Sequence, residues 1–274
     1  MLKIIQITDT HLVADGERIF GSDPGARLAA AIDDVNRNHA DAALCVLTGD
    51  LAHHADPHAY HLLRERLGDL TVPWQILPGN HDDRDLMAEM FPELQRDGDG
   101  FLQSTIETPA GTLLFLDSVD PGVHSGRYCE RRRRWLNRAL ASCAGRPAYI
   151  FVHHPPFEIA LPHIDQYVMA EGDGFGETVA RHRHLRHIFF GHVHRPVSGS
   201  WRGIPFSALR GTNHQSWLDF TPSRVNITSL EPPGYAVIFL DAERTVVHFH
   251  DFLDDSPKFA YDPDAPLERQ VVRI

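Results

Sequence analysis

The chain has 274 residues, of which 42% are hydrophobic and 23% charged, and a formal net charge of −11. That length suits one large domain or two small ones with a substantial core, and the acidic balance argues against duplex DNA, whose partners carry basic stripes. No apolar run approaches the ~20 residues that cross a bilayer, and three cysteines (Cys45, Cys129 and Cys143) without a C-x-x-C pair argue against a disulfide framework.

The first run, KIIQITDTH, reads as a strand entered directly from the N-terminus. It has neither a basic segment leading into a long apolar one nor a small-residue cleavage site, so a cytoplasmic protein is expected. ARLAAAIDDVNRN follows, with apolar residues three and four apart as in an amphipathic helix. AALCVLTGD is a second strand, with Cys45 as a small buried hydrophobe, and PHAYHLLRERLGDL is a second helix. VPWQILPGNHD, GTLLFLDS, PAYIFVHHPP and LRHIFFGHVH add further strands, too short and too β-branched or aromatic for helices. Strand-helix alternation predicts an α/β core that begins with parallel pairing. The late runs GIPFSAL, GYAVIFLD and TVVHFHDF have no helices between them and predict antiparallel strands completing a second sheet. The fold class expected is therefore α/β, two stacked mixed sheets flanked by helices.

Two stretches, FEIALPHIDQYVMAEGDGFGE and GTNHQSWLDFTPSRVNITSLEPPGY, read as irregular insertions of the kind that form lids, binding loops or partner contacts. RRRRW, Arg131 to Trp135, is expected to be the solvated face of a helix whose inner side carries Trp135, Leu136 and Leu140.

The 19 histidines matter through their placement. Strands end in Asp9 and His11, in Asp50, in Asn80 and His81, in His153 and His154, and in His192 and His194. The carboxyl ends of strands in an α/β sheet open onto one crevice. Any one of these pairs alone is a weak signal, since Asp-x-His and Gly-Asp also describe caps and turns. Five in succession, each behind an apolar run, point to one pocket. Imidazole, carboxylate and amide oxygen together suit Zn, Mn, Fe or Co. Seven ligands drawn from these nine residues exceed one tetrahedral ion and suit two ions ~3.5–4 Å apart. A carboxylate can bridge them and a neutral imidazole cannot, so the shared ligand is an aspartate.

In that order, D-x-H, GD, GNHD, HHPP and GHxH resemble the calcineurin-like metallophosphoesterases. LTGDLA, PGNHDDR and HHPP resemble the branch of bacterial class III cyclic nucleotide phosphodiesterases and their glycerophosphodiesterase relatives, and GERIFGSDP and GTNHQ look particularly like the latter. From about Leu218 onward the match is weaker. The resemblance implies an αββα sandwich: a catalytic core over 1–210, then a small loop-rich cap or dimerisation loop and C-terminal strands over 211–274, as one domain. It further implies Asp9, His11 and His194 as ligands of one metal ion, Asn80, His153 and His192 as ligands of the other, and Asp50 as ligand of both. His81 would contact the scissile phosphate as a catalytic residue, with His11, Asn80 and His194 beside it around the substrate, and His154 would have a structural or outer role. Phe20, His214 and Trp217 are further candidates for the pocket.

Two divalent ions, less two carboxylates and a bridging hydroxide, leave about one net positive charge to attract a singly charged diester. An acid in place of Asn80 would bring the site near neutrality. The expected reaction is in-line attack of that hydroxide on phosphorus, with His81 protonating the leaving oxygen or orienting the phosphate. A 3′,5′-cyclic nucleotide or a glycerophosphodiester is the expected substrate and a homodimer or higher homo-oligomer the expected assembly, with no nucleic-acid polymer and no membrane as partner. The alternatives are a nuclease, phosphomonoesterase or protein phosphatase on the same core, or a scaffold, which would be expected to lack ligands that are all present here.

Overall fold

The computed structural model describes residues 1–223, 225–266 and 271–273. β1 (Leu2–Ile7) lies in the middle of a five-stranded sheet, and the run Ile4 through Ile7 is buried accordingly. On one side β1 pairs in parallel with β2 (Leu44–Thr48), which pairs in parallel with β3 (Trp74–Leu77). The crossovers are α1 (Pro24–Asn38) and α2 (Pro57–Gly68). Each opens on an aspartate that accepts a backbone N–H, Asp23 from Ala26 and Asp56 from His58, with proline in the first turn. α1 buries Leu28, Ala31, Ile32 and Val35, the predicted spacing, against the sheet. The short helix α3 (Arg84–Met90) follows β3 and adds Met87 to the same layer.

The second sheet has six strands. β4 (Ser104–Thr108) pairs antiparallel with β5 (Gly111–Leu116), and β5 continues in parallel to β6 (Ala148–Val152) and β7 (Leu185–Phe190). The far edge is a hairpin of β8 (Val197–Trp201) and β9 (Ile204–Ala208), entered through β9. Helices α4 (Glu130–Ser142), α5 (Pro162–Asp165) and α6 (Gly172–Val179) belong to this half, and Leu136, Leu140, Phe175 and Val179 close its outer face. Between the sheets lie Ile4, Val46 and Leu77 with Leu113, Phe115, Phe151 and Phe189. The three phenylalanine rings stack at 5.5 and 4.7 Å, and each full burial is worth roughly 1.5–3 kcal/mol.

Four features depart from expectation. The late runs do not build one sheet together. β9 joins the second sheet, whereas β12 (Tyr235–Leu240) and β13 (Thr245–His250) return to the first, β12 antiparallel to β1. Sequential adjacency predicted otherwise, but the free flank of β1 is where β12 buries both faces, Ala236, Ile238 and Leu240 between the sheets and Tyr235 and Val237 in the core of the first sheet's helix-covered side. Part of the stretch after His154 is helical, as α5 and α6. Two strands, β4 and β8, carry too few apolar residues to stand out. Finally, Arg132 is buried, not solvated: its guanidinium lies over the Phe101 ring and donates to the main chain of Arg127 and Val119. The fully buried Asp117, also gripped by Arg84, requires that positive charge nearby. Arg131 and Arg134 are exposed as predicted. Beyond β9, β10 (Gln215–Ser216) and β11 (Thr228–Ser229) pin an open loop, and β14 (Phe259–Tyr261) pairs with β15 (Val271–Arg273). All three cysteines are free, and among the described residues no helix is long and apolar enough to cross a membrane.

Candidate metal centre

Asp9 and His11 stand two and four residues beyond β1, Asp50 two beyond β2, and His192 and His194 two and four beyond β7. All five have left-handed backbone, with φ of 53°, 45°, 50°, 66° and 50°. A non-glycine residue there costs on the order of 1–3 kcal/mol and is held only by its surroundings. The reversals turn side chains from three strand ends back toward one point. Asn80 after β3 and His153 at the end of β6 complete the ring from ordinary backbone. Glycine makes room behind it. A β-carbon on Gly49, itself at φ +89°, would lie 2.5 Å from His153 Nδ1, and one on Gly79 would collide with the Asp50 carboxylate.

All seven expected ligands converge. Asp50 lies between two groups, with Oδ2 3.6 Å from His11 Nε2 and Oδ1 3.3 Å from His153 Nε2. On the first side, His194 Nε2 is 3.3 Å from Asp9 Oδ1 and 3.1 Å from His11 Nε2. On the second, Asn80 Oδ1 is 3.2 Å from His153 Nε2 and 3.0 Å from His192 Nδ1. The loops are tied through the same carboxylates, since Asp9 accepts the His192 backbone N–H and Asp50 that of His81.

The hydrogen bonds facing away from the centre test whether a cation fits. His153 Nδ1 and His194 Nδ1 donate, each at 2.7 Å, to the carbonyls of Thr48 and His214. A carbonyl only accepts, so both imidazoles carry their proton outside and, when neutral, present a bare Nε2 to the centre. The charges agree. Burial disfavours the ionised form of Asp50 and Asp9, yet His153 holds the first well below the usual carboxylate range and His194 lowers the second. Conversely, against the lowering that burial imposes, Asp50 raises His153 to about 9, and Asp9 raises His194. His11 is depressed well below its ordinary value by burial, and His192 is lowered by burial to about 3. Two buried carboxylates thus hold positive charge beside them, where divalent ions would replace protons. The donor set fits.

A cavity of about 270 Å³ opens over His11, Asp50, Asn80, His81, His192 and His194. His81 donates from Nδ1 to the His53 carbonyl at 2.8 Å. Phe20 and His214 also line this space, whereas Trp217 stays outside it, half-exposed. His154 is buried behind His192, between Ser118 Oγ and the carbonyl of His124. The carboxylates of PGNHDD have structural tasks. Asp82 accepts the N–H groups of Leu51, Ala52 and Gly79, and Asp83 caps α3. Sequence reasoning missed His53, His124 and Tyr167, which line the cavity from loops. The only signal was the imidazole pair of LAHHAD directly after Gly49-Asp50. A larger cavity of about 610 Å³ lies beside α4, but its arginines are paired with acids and no ligand set converges there.

A family model for calcineurin-like phosphoesterases matches residues 2–196. A protein of Rhodopseudomonas palustris described as a probable cyclic nucleotide phosphodiesterase is 41% identical over 98% of this chain and 99% of its own. The 3′,5′-cyclic adenosine monophosphate phosphodiesterase CpdA of Escherichia coli K12 is 29% identical over 89% of this chain and 87% of its own. The glycerophosphodiester phosphodiesterase GpdQ of Enterobacter lignolyticus is 30% identical over 78% of each.

Proposed function

Since the chain belongs to the calcineurin-like phosphoesterase family, we propose that it hydrolyses small phosphodiesters at a centre of two divalent metal ions, with a 3′,5′-cyclic nucleotide as substrate. The observation that carries this is the position of Asp50, whose two oxygens face two separate groups of ligands. Asp9, His11 and His194 would hold one ion, Asn80, His153 and His192 the other, and Asp50 both. Fe, Mn, Zn and Co all suit this mixture of nitrogen and oxygen. Bound there, the ions supply Lewis acidity, lowering the pKa of water toward ~7 and drawing charge from the phosphoryl oxygens.

The protein's own groups do the rest. Asp9 and Asp50 are the only carboxylates in the ligand set, so the loaded centre keeps a net positive charge toward a singly charged diester. Asn80 contributes an oxygen without adding charge. His81 is anchored through Nδ1, which leaves Nε2 to hydrogen-bond the phosphate or carry a proton to the leaving oxygen. Phe20 and Tyr167 line the cavity with aromatic rings, of the kind a planar base stacks on, and Asp50 is the sole carboxylate among the described residues lining it. That lining suits a nucleobase better than a cationic head group. Glycerophosphodiesters are the second reading, supported by the relative from Enterobacter lignolyticus.

A hydrolysis panel with Mn²⁺ tests this: bis-p-nitrophenyl phosphate, p-nitrophenyl phosphate, cyclic AMP, glycerophosphocholine and single-stranded DNA. Cyclic AMP should turn over fastest among the natural diesters. Preference for p-nitrophenyl phosphate would mean a monoesterase, degradation of DNA a nuclease, and inertness of the metal-replete protein a scaffold.

We also assign the protein to the cytoplasm and to a homodimer built through the 211–234 loop, a cap on the 1–210 core. Phe220 and Val225, at 64% and 71% exposure, would be covered by a second copy. A monomeric mass in solution would rule the dimer out.

A further inference from the structure

Behind His11 stands a second histidine, and we propose that His53 is a positioning residue that fixes the proton of His11 on Nδ1, keeping Nε2 free for a cation. This rests on the metal centre proposed above. His11 Nδ1 lies 3.1 Å from His53 Nδ1, and His11 Nε2 faces His194 Nε2 and Asp50. Of two facing ring nitrogens, one carries the proton and the other a lone pair. An imidazole that ligates through Nε2 must carry its proton on Nδ1, and the partner of that N–H orients the ring and sets its basicity. His53 Nδ1 is therefore the acceptor, in a neutral ring protonated on Nε2.

The other two Nε2-facing imidazoles, His153 and His194, use main-chain carbonyls for this purpose, which no side-chain change can remove. His11 relies on a side chain. Its half of the centre is thus tuned by one replaceable group. His53 is itself held in place: its ring stacks on His81 at 5.2 Å and 12°, and its carbonyl accepts His81 Nδ1–H. One residue thereby orients a candidate ligand through its ring and a candidate catalytic group through its main chain. Substitution separates the two effects, because the carbonyl survives any change of side chain.

The test compares H53F, which keeps a stacking ring but offers no acceptor, with H53N, whose amide oxygen can accept. Metal-free protein is reloaded with Zn²⁺ against a chelator, and both dissociation constants are measured on samples with native circular dichroism. H53F should weaken one ion by about 10- to 100-fold and spare the other, and H53N should recover most of that loss. Equal binding by H53F and wild type would overturn the proposal, as would an H53N as weak as H53F. A wild type that binds no ion would instead overturn the metal centre itself. Should H53F fail to fold, nitrogen NMR of the Zn²⁺-loaded wild type decides: a proton on His11 Nδ1 supports the assignment, and one on Nε2 refutes it.

Discussion

The Tyr60 hydroxyl donates to the Asp82 carboxylate at 2.9 Å inside the protein, where Asp82 also gathers backbone N–H groups from the loops after β2 and β3. Those loops carry Asp50 and Asn80. Replacing Asp82 by Ala leaves several buried donors unmatched, and stability should fall by about 3 kcal/mol. Urea unfolding measures the loss. An intact midpoint would show that the carboxylate is dispensable to the loops.

Asp50→Ala should strip both metal ions together, because each group of ligands faces one of its oxygens. Elemental analysis after dialysis reads the result. Full retention of one ion would contradict the bridge. Asp9→Ala, by contrast, should empty chiefly the His11–His194 side.

His81→Ala should lower kcat on a diester by about 10²- to 10⁴-fold with metal content intact. An activated substrate such as bis-p-nitrophenyl phosphate, whose leaving group needs no proton, should suffer least if the role is proton donation. Equal losses on both substrates would point to phosphate orientation instead.

The metal-free protein should be most stable near pH 6.5. Burial lowers His53 and His187 to about 4, and His192 to about 3. Each binds protons more readily when unfolded, so the stability it contributes is present above about 6.5 and lost as pH falls through those values. Asp82, raised to about 6 by burial, opposes them as a single group. On the alkaline side, His153 at about 9 holds a proton that the unfolded chain releases near 6.5, so its contribution fades as pH rises from about 6.5 through 9. Chemical denaturation across pH 4 to 9.5 tests both arms. Loading with metal should flatten the alkaline arm, since the ion displaces that proton.

The convergence of the candidate ligands was legible because each closes an apolar run, and strand ends in an α/β sheet share an edge. Asn80 stood out as the first polar side chain after the strand, and the family resemblance gave it the role of ligand; the structural tasks of Asp82 and Asp83 gave no local sign. His53, His124 and Tyr167 stayed hidden because loop residues follow no period. The return of β12 to β1 was illegible for a different reason: strand partners far apart in sequence leave no local mark, and the nearer pairing looked simpler. Arg132 required knowing that Asp117 is buried.

The docking of β12 beside β1 has a consequence for synthesis. The strand that leads into Asp9 and His11 is synthesised well before its second neighbour, Tyr235–Leu240. Until Tyr235–Leu240 has emerged, β1 keeps an open flank, and such distant pairing is intrinsically slow. A nascent chain halted at residue 210 would hold every candidate ligand in its sequence and still lack the wall against which the first two are set.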